Sequence, residues 1–147
     1  RTYFSAAGHA SQARVGSDSF ICRVRKGVVF SDLCLASSRF HSVESVVNSY
    51  QPNWLKRIIY LSSALKFCAV ARGQADVYLR FGPTGLWDTA AGQVIVEQAG
   101  GCMVDFHGKK LQYKPRFGLL NTSFIVLSDR VHVSRMLEFC QQIRGEL

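Results

Sequence analysis

Nothing in this 147-residue chain approaches the roughly 20 consecutive apolar residues that carry a helix across a bilayer. The opening residues also lack the basic, apolar and small succession of a secretory signal. No Cys-x-x-Cys pair exists: the five cysteines, at 22, 34, 68, 102 and 140, are odd in number and scattered, which argues against a disulfide framework or a structural zinc site. Free, reduced cysteines are therefore expected, with Cys68 and Cys140 on apolar helical stripes. There is no initiator Met, and Arg1-Thr2-Tyr3-Phe4-Ser5 opens an extended aromatic run with no turn before it, so the chain is expected to begin inside a strand. A cytoplasmic place, free or peripheral at the inner membrane face, follows as the expectation.

Acidic residues are scarce, ten against eighteen Lys and Arg, for a net charge of +8. A basic surface can mark nucleic-acid binding, but here the cations are dispersed as Arg23-Val24-Arg25-Lys26, Lys56-Arg57, Lys109-Lys110 and Lys114-Pro115-Arg116. Each group reads as a solvated loop or helix face, and nucleic acid is not expected as a partner. The same excess suits attraction of a doubly phosphorylated small molecule. With 48% hydrophobic residues and no low-complexity tract, the length allows one domain with a real core.

Patterning divides the chain near residue 26. Residues 1–26 read as β-hairpin material, with turns at Gly8-His9 and Gly16-Ser17-Asp18 and an edge left unpaired. From 27 to 147 strands and helices alternate, which indicates an α/β domain of layered strands and helices with its site in loops at strand ends. A buried run spans 28 to 38, followed by a short helix striped by Val43, Val46, Val47 and Tyr50, capped by Ser42 and stopped by Pro52. Strands are expected at 57–61, 75–81, 102–106 and 124–127. A central helix carries Leu65, Cys68 and Ala69 on one face and Phe67, Val70 and Ala71 on the other, and ends at Gly73. Another helix begins at Asp88 and buries Ala91, Val94, Ile95 and Ala99. The last is striped by Val133, Met136, Leu137, Cys140 and Ile143.

The most telling block is Trp87-Asp88-Thr89-Ala90-Ala91-Gly92, with Ala99-Gly100-Gly101 further on. A carboxylate at a helix start lies beside unpaired backbone N–H groups and the positive end of the helix dipole, so it can hold a cation while those amides face an oxyanion. On spacing alone, an N-cap is the commoner reason for such an Asp.

The block resembles the second signature of the inositol monophosphatase-like, magnesium-dependent, lithium-sensitive phosphatases. Upstream, Ser38-Arg39-Phe40-His41, Ser62-Ser63-Ala64-Leu65-Lys66-Phe67-Cys68 and Arg80-Phe81-Gly82-Pro83-Thr84 are similar to the CysQ-type 3'(2'),5'-bisphosphate nucleotidase branch, and Leu120-Asn121 continues the likeness. The resemblance covers Tyr3 to Val126. It implies the fold of that family's C-terminal half, with residues 1–26 belonging to the antiparallel sheet of the N-terminal half. It also implies hydrolysis of a phosphate monoester by metal-activated water without a covalent nucleophile.

The family's magnesium site is built from a Glu and an Asp-Pro-Ile/Leu-Asp-Gly-Thr segment, completed by the Asp of the Trp-Asp block. Of these only Asp88 is present in this sequence. The chain thus reads as the C-terminal half of such an enzyme, inactive alone, whose partner would be the N-terminal half or a second chain supplying it. Asp88 is the implied Mg2+ ligand and catalytic residue, since its block matches residue for residue. Thr89 and Ala90 would offer amides to phosphate or ribose, or be ordinary first-turn residues, and Trp87 would pack.

Ser63 stands where the family has a small residue facing substrate, after a Gly that is Ser62 here; either serine could instead cap a helix. Lys66 and Arg80 are candidate anion contacts or solvated surface cations, Arg39 could also reach the pocket, and His41 reads as a turn residue. The implied substrate is 3'-phosphoadenosine 5'-phosphate. Alternatives are an inositol or sugar monophosphatase half, separated by the loop 80–84, or a non-catalytic interaction remnant.

Overall fold

The computed structural model describes residues 1–38, 47, 50, 52–113 and 118–144. Three strands open it, β1 (Thr2–Phe4), β2 (Gln12–Val15) and β3 (Asp18–Ile21), in an antiparallel sheet of order β1-β2-β3. Gly8 and Gly16 turn the chain at positive φ, and β3 is exposed along its whole length. Ala13 and Cys22 are buried, and the Ser11 hydroxyl donates to the Ile95 carbonyl at 2.6 Å. This sheet is thereby seated on the helices that follow.

The expected strand across 28–38 is shorter. A 3-10 turn at Phe30–Asp32 precedes β4 (Leu33–Ser37), whose five residues are all buried. Then come β5 (Leu55–Tyr60), α1 (Leu65–Ala71), β6 (Val77–Arg80), β7 (Thr84–Gly85), α2 (Leu86–Gln98), β8 (Cys102–Asp105), β9 (Leu120–Asn121), β10 (Phe124–Leu127) and α3 (Val133–Arg144). The main sheet has the order β5-β4-β6-β10-β8. Its β4 runs parallel to β5 and β6, while β10 is antiparallel to both β6 and β8. β7 and β9, read from sequence only as turn and loop, form a separate antiparallel pair, Thr84 opposite Asn121 and Gly85 opposite Leu120.

Period-2 alternation assigns the two faces of the main sheet. Cys34, Ala36, Tyr78, Met103, Phe124 and Val126 meet α1 and α2. Leu33, Leu35, Val77, Leu79, Ile125 and Leu127 meet Met136, Phe139, Cys140 and Ile143 of α3, at the i, i+3, i+4, i+7 spacing of an amphipathic helix. The layers are therefore small sheet, two helices, main sheet, one helix.

Two expected stripes hold in part: on α1 Phe67, Cys68, Ala69, Val70 and Ala71 are buried as expected, and on α2 Ile95 and Ala99 are. Ala91 and Val94 are exposed, while Thr89, Gly92, Gln93, Ile95, Val96 and Ala99 are buried. The face is set by Gly92, where an added Cβ would lie 2.5 Å from the Phe67 ring, so α2 presses its glycine against α1. Leu65 is likewise exposed. Gly73 ends α1 at φ 68°, as expected. Of the next helix, Val47 is helical and buried and Tyr50 is helical; Ser42, Val43 and Val46, like Arg39 and His41, lie outside the described residues.

At the end of the main sheet where β6 begins, Arg25 is no solvated loop cation. Its Nε donates to Asp76 at 2.9 Å and its second nitrogen grips the other carboxylate oxygen. The fully buried Asp76 also accepts from the Cys34 amide at 2.8 Å and the Ser128 hydroxyl at 3.4 Å. Among the described residues no helix is long and apolar enough to cross a membrane.

Candidate functional site

The carboxyl ends of β4 and β6 and the first turns of α1 and α2 converge at the opposite end of the main sheet, where α/β sheets commonly place ligands. Lys66 is the informative residue there. It is buried, 4% exposed, against the alternative of a solvated cation. Its Nζ donates to Ser38 Oγ at 2.9 Å and to the Leu61 carbonyl at 3.4 Å, and sits 5.0 Å from the centre of the Tyr78 ring. No carboxylate pairs with it among the described residues. Burial, and then the nearby Arg80 cation, hold its pKa below the usual lysine range.

Arg80, the last residue of β6, is steered by Thr84, whose hydroxyl accepts from its Nε at 3.1 Å. Two neighbouring cations of which one is buried and unpaired carry an electrostatic cost that an anion would relieve. Tyr78, two residues before Arg80, is buried beside Lys66. Burial pushes its phenol up to about 12, with Arg80 acting to lower it and Asp88 to raise it.

Asp88 does not start its helix. The N-cap is Gly85, without a side-chain cap bond, and α2 begins at Leu86, so Asp88 is the third helical residue and not the cap. Its carboxylate is exposed and has no hydrogen-bond partner among the described residues. Trp87, expected to pack, is 69% exposed, its ring lying over Gly85 where a Cβ would collide with it. Thr89 is fully buried, and its hydroxyl lies 3.4 Å from the Gly85 carbonyl and 3.3 Å from that of Leu86.

Neither Ser62 nor Ser63 caps α1: the cap is Ala64, with no side-chain bond. Ser63 instead adopts φ 39°, the one non-glycine positive φ among the described residues. The left-handed conformation thus falls on Ser63 and not on Ser62, the residue occupying the family's glycine position.

The donor set does not make a metal centre by itself. No group of three or more His, Cys, Asp or Glu side chains able to hold an ion occurs among the described residues, and Asp88 is a single exposed carboxylate. Magnesium dehydrates reluctantly and is held by one or two carboxylates together with phosphate oxygens. The described residues therefore offer one exposed carboxylate and two cations, Lys66 and Arg80, which do not by themselves make a metal site.

Sequence reasoning overlooked Asn121. It is buried on β9, and its Nδ2 donates to Thr89 Oγ1 at 2.5 Å. The only signal for it was its place beside Leu120 in the motif.

Comparison with known proteins shows the family and the fold. The sequence matches the inositol monophosphatase family over residues 5–144. It is 39% identical over 127 residues to the 3'(2'),5'-bisphosphate nucleotidase CysQ of Salmonella typhimurium, covering 84% of this chain and 49% of that protein. To the protein so described from Escherichia coli K12 it is 41% identical over 108 residues, 71% of this chain and 44% of the other. The chain thus spans about half the length of the curated relatives it matches. Among solved structures, CysQ from Bacteroides thetaiotaomicron superposes with a TM-score of 0.66 at 27% identity, over 87% of this chain and 54% of that one. SuhB from Mycobacterium tuberculosis shares the fold at a TM-score of 0.72 and 20% identity, over 97% and 54%.

Proposed function

The chain belongs to the inositol monophosphatase family, and from that premise we propose that it forms the phosphate-binding part of a magnesium-dependent 3'(2'),5'-bisphosphate nucleotidase, a phosphoric monoester hydrolase that converts 3'-phosphoadenosine 5'-phosphate to AMP and phosphate. The observation that carries the reading is the buried Lys66 ammonium, unpaired by any described carboxylate and set beside Arg80. Two cations at one place suit a phosphate dianion. In this reading Lys66 and Arg80 bind a phosphate, with Arg80 held by Thr84 for two-pronged contact. Ser63 and the first turn of α2, with Thr89, are assigned to the same site.

Asp88 is the one magnesium ligand these residues offer. Completion of the ion's shell, and with it turnover, is assigned to a partner polypeptide equivalent to the N-terminal half of the relatives. The exposed β3 edge and the uncovered apolar side chains Phe20, Ile21, Trp87 and Val94 suit that partner. A cytoplasmic location goes with this proposal.

The test has two arms. Titration of the chain with AMP should show binding that Lys66→Met weakens at least tenfold, on the order expected for losing a hydrogen-bonded charge; equal affinities would sink the anion site. The chain alone should hydrolyse the bisphosphate nucleotide negligibly and gain magnesium-dependent turnover when a separately made N-terminal half is added. In that complex Asp88→Asn should abolish turnover with little change in melting temperature, while undiminished rates would remove Asp88 from the reaction.

A further inference from the structure

The short pair β7/β9 lies beside the proposed site. Through it, residues 119–123 contact the segments that carry Arg80 and Asp88. The Leu86 amide, the first of α2, donates to the Leu119 carbonyl at 3.0 Å. Thr84, which holds Arg80, is paired in register with Asn121. The Ser123 hydroxyl accepts from the Gly82 amide at 2.9 Å, fixing the loop between Arg80 and Thr84.

Asn121 itself reaches across to Thr89, one residue past Asp88, and that contact is buried. The track continues along the same face of α2 at i, i+4, i+8. Gln93 Oε1 accepts from the Tyr113 hydroxyl at 2.7 Å, Gln93 Nε2 donates to Glu97 at 2.8 Å, and Glu97 takes Lys110 at 2.7 Å. Along this track the Asn121–Thr89 bond is buried while the Glu97–Lys110 pair is exposed, so it is at Thr89 that a shift would leave a buried donor or acceptor unsatisfied. The amide of Asn121 has a particular function within it: the first amides of a helix have no intrahelical partners, so the first turn is the part that frays unless something outside holds it.

We infer that Asn121 is a positioning residue of the site, pinning the first turn of α2 through Thr89 and so fixing the Asp88 carboxylate relative to Arg80. The inference deepens the phosphatase reading and rests on it for the purpose of that geometry, but the pin itself is measurable without turnover.

The experiment compares the parent chain with Asn121→Ala, Thr89→Val, the two combined, and Met136→Ala, which destabilises the core on the far side of the main sheet. Hydrogen exchange is followed at the Leu86 and Ala90 amides, in the first turn, and at Val96, two turns on; AMP affinity is measured on the same samples. Asn121→Ala should speed exchange at Leu86 and Ala90 about tenfold or more relative to Val96 and weaken AMP about tenfold, the scale of one buried hydrogen bond. In the Thr89→Val background it should add nothing further, because both changes cut the same bond. Met136→Ala should lower the melting temperature without this local signature and without loss of AMP affinity.

If Asn121→Ala changes all three amides alike and leaves AMP affinity where Met136→Ala leaves it, Asn121 is structural only and the inference is overturned. If no form binds AMP, parent included, the phosphatase reading fails instead, and the exchange pattern alone decides whether Asn121 pins the turn.

Discussion

At the scale of single residues, two side chains carry energetic tension that can be read out. Ser63 holds φ 39°, a left-handed conformation costing an L-residue about 1–2 kcal/mol, of which glycine loses about half again through its freer unfolded chain. Ser63→Gly should therefore stabilise the protein by about 0.5–1 kcal/mol in denaturant melts, whereas Ser62→Gly should not. Lys66 has its pKa lowered in the fold by burial and by Arg80. Below that lowered pKa the buried cation weighs against folding; between it and the ordinary lysine value the unfolded chain binds more protons, so stability rises with pH. An anion seated beside Lys66 favours its protonated form, so AMP affinity should fall as pH rises through the same window, and Lys66→Met should flatten that profile in a titration series. The sequence named Lys66, Arg80 and Asp88 by their motifs. It could not reveal that Lys66 is buried, because Ser38 and Tyr78, which receive it, lie 28 positions before and on another strand.

At the scale of elements, α2 shows why period and phase are separate problems. Its existence is legible in the sequence, but apolar patterning starts it two residues late and draws its buried face through Ala91 and Val94 as well as through Ile95 and Ala99, of which only the last two are buried. The actual face runs through Thr89, Gly92, Gln93 and Val96, where polar residues are satisfied by one another and a glycine admits a ring. Gly92→Ala isolates that point. Helix propensity alone would reward it by about 1 kcal/mol, yet the new Cβ would stand 2.5 Å from Phe67. That ring cannot easily retreat, being stacked on Phe124 and edge-on to Tyr78. A net loss of about 1–3 kcal/mol is expected from overpacking, seen as a lower melting midpoint; a gain would mean that the α1/α2 contact is loose. The pair β7/β9 escaped notice for a simpler reason: two-residue strands have no period to detect.

At the scale of the whole molecule, the layered α/β plan followed from alternating patterns, while the ties between layers are single long-range contacts that no local pattern announces. The Arg25–Asp76 clamp is the chief one, joining the segment after β3 to the start of β6 and, through Cys34 and Ser128, to its neighbours. Asp76→Ala should leave the buried Cys34 amide without its acceptor, while Arg25, 40% exposed, turns to water, and cost about 1–3 kcal/mol, measured by denaturant unfolding; a loss well below about 1 kcal/mol would show the clamp to be dispensable. The five cysteines have a different meaning at this scale. All are buried and free, and burial raises every thiol, Cys68 to about 11 and Cys140 to about 12. Since only an accessible thiolate reacts with alkylating reagents, alkylation of the native chain at neutral pH should be slow. Cys22 beside the small sheet, Cys34 and Cys102 in the main sheet, Cys68 in α1 and Cys140 in α3 amount to five timed fuses, each recording when its own layer comes open.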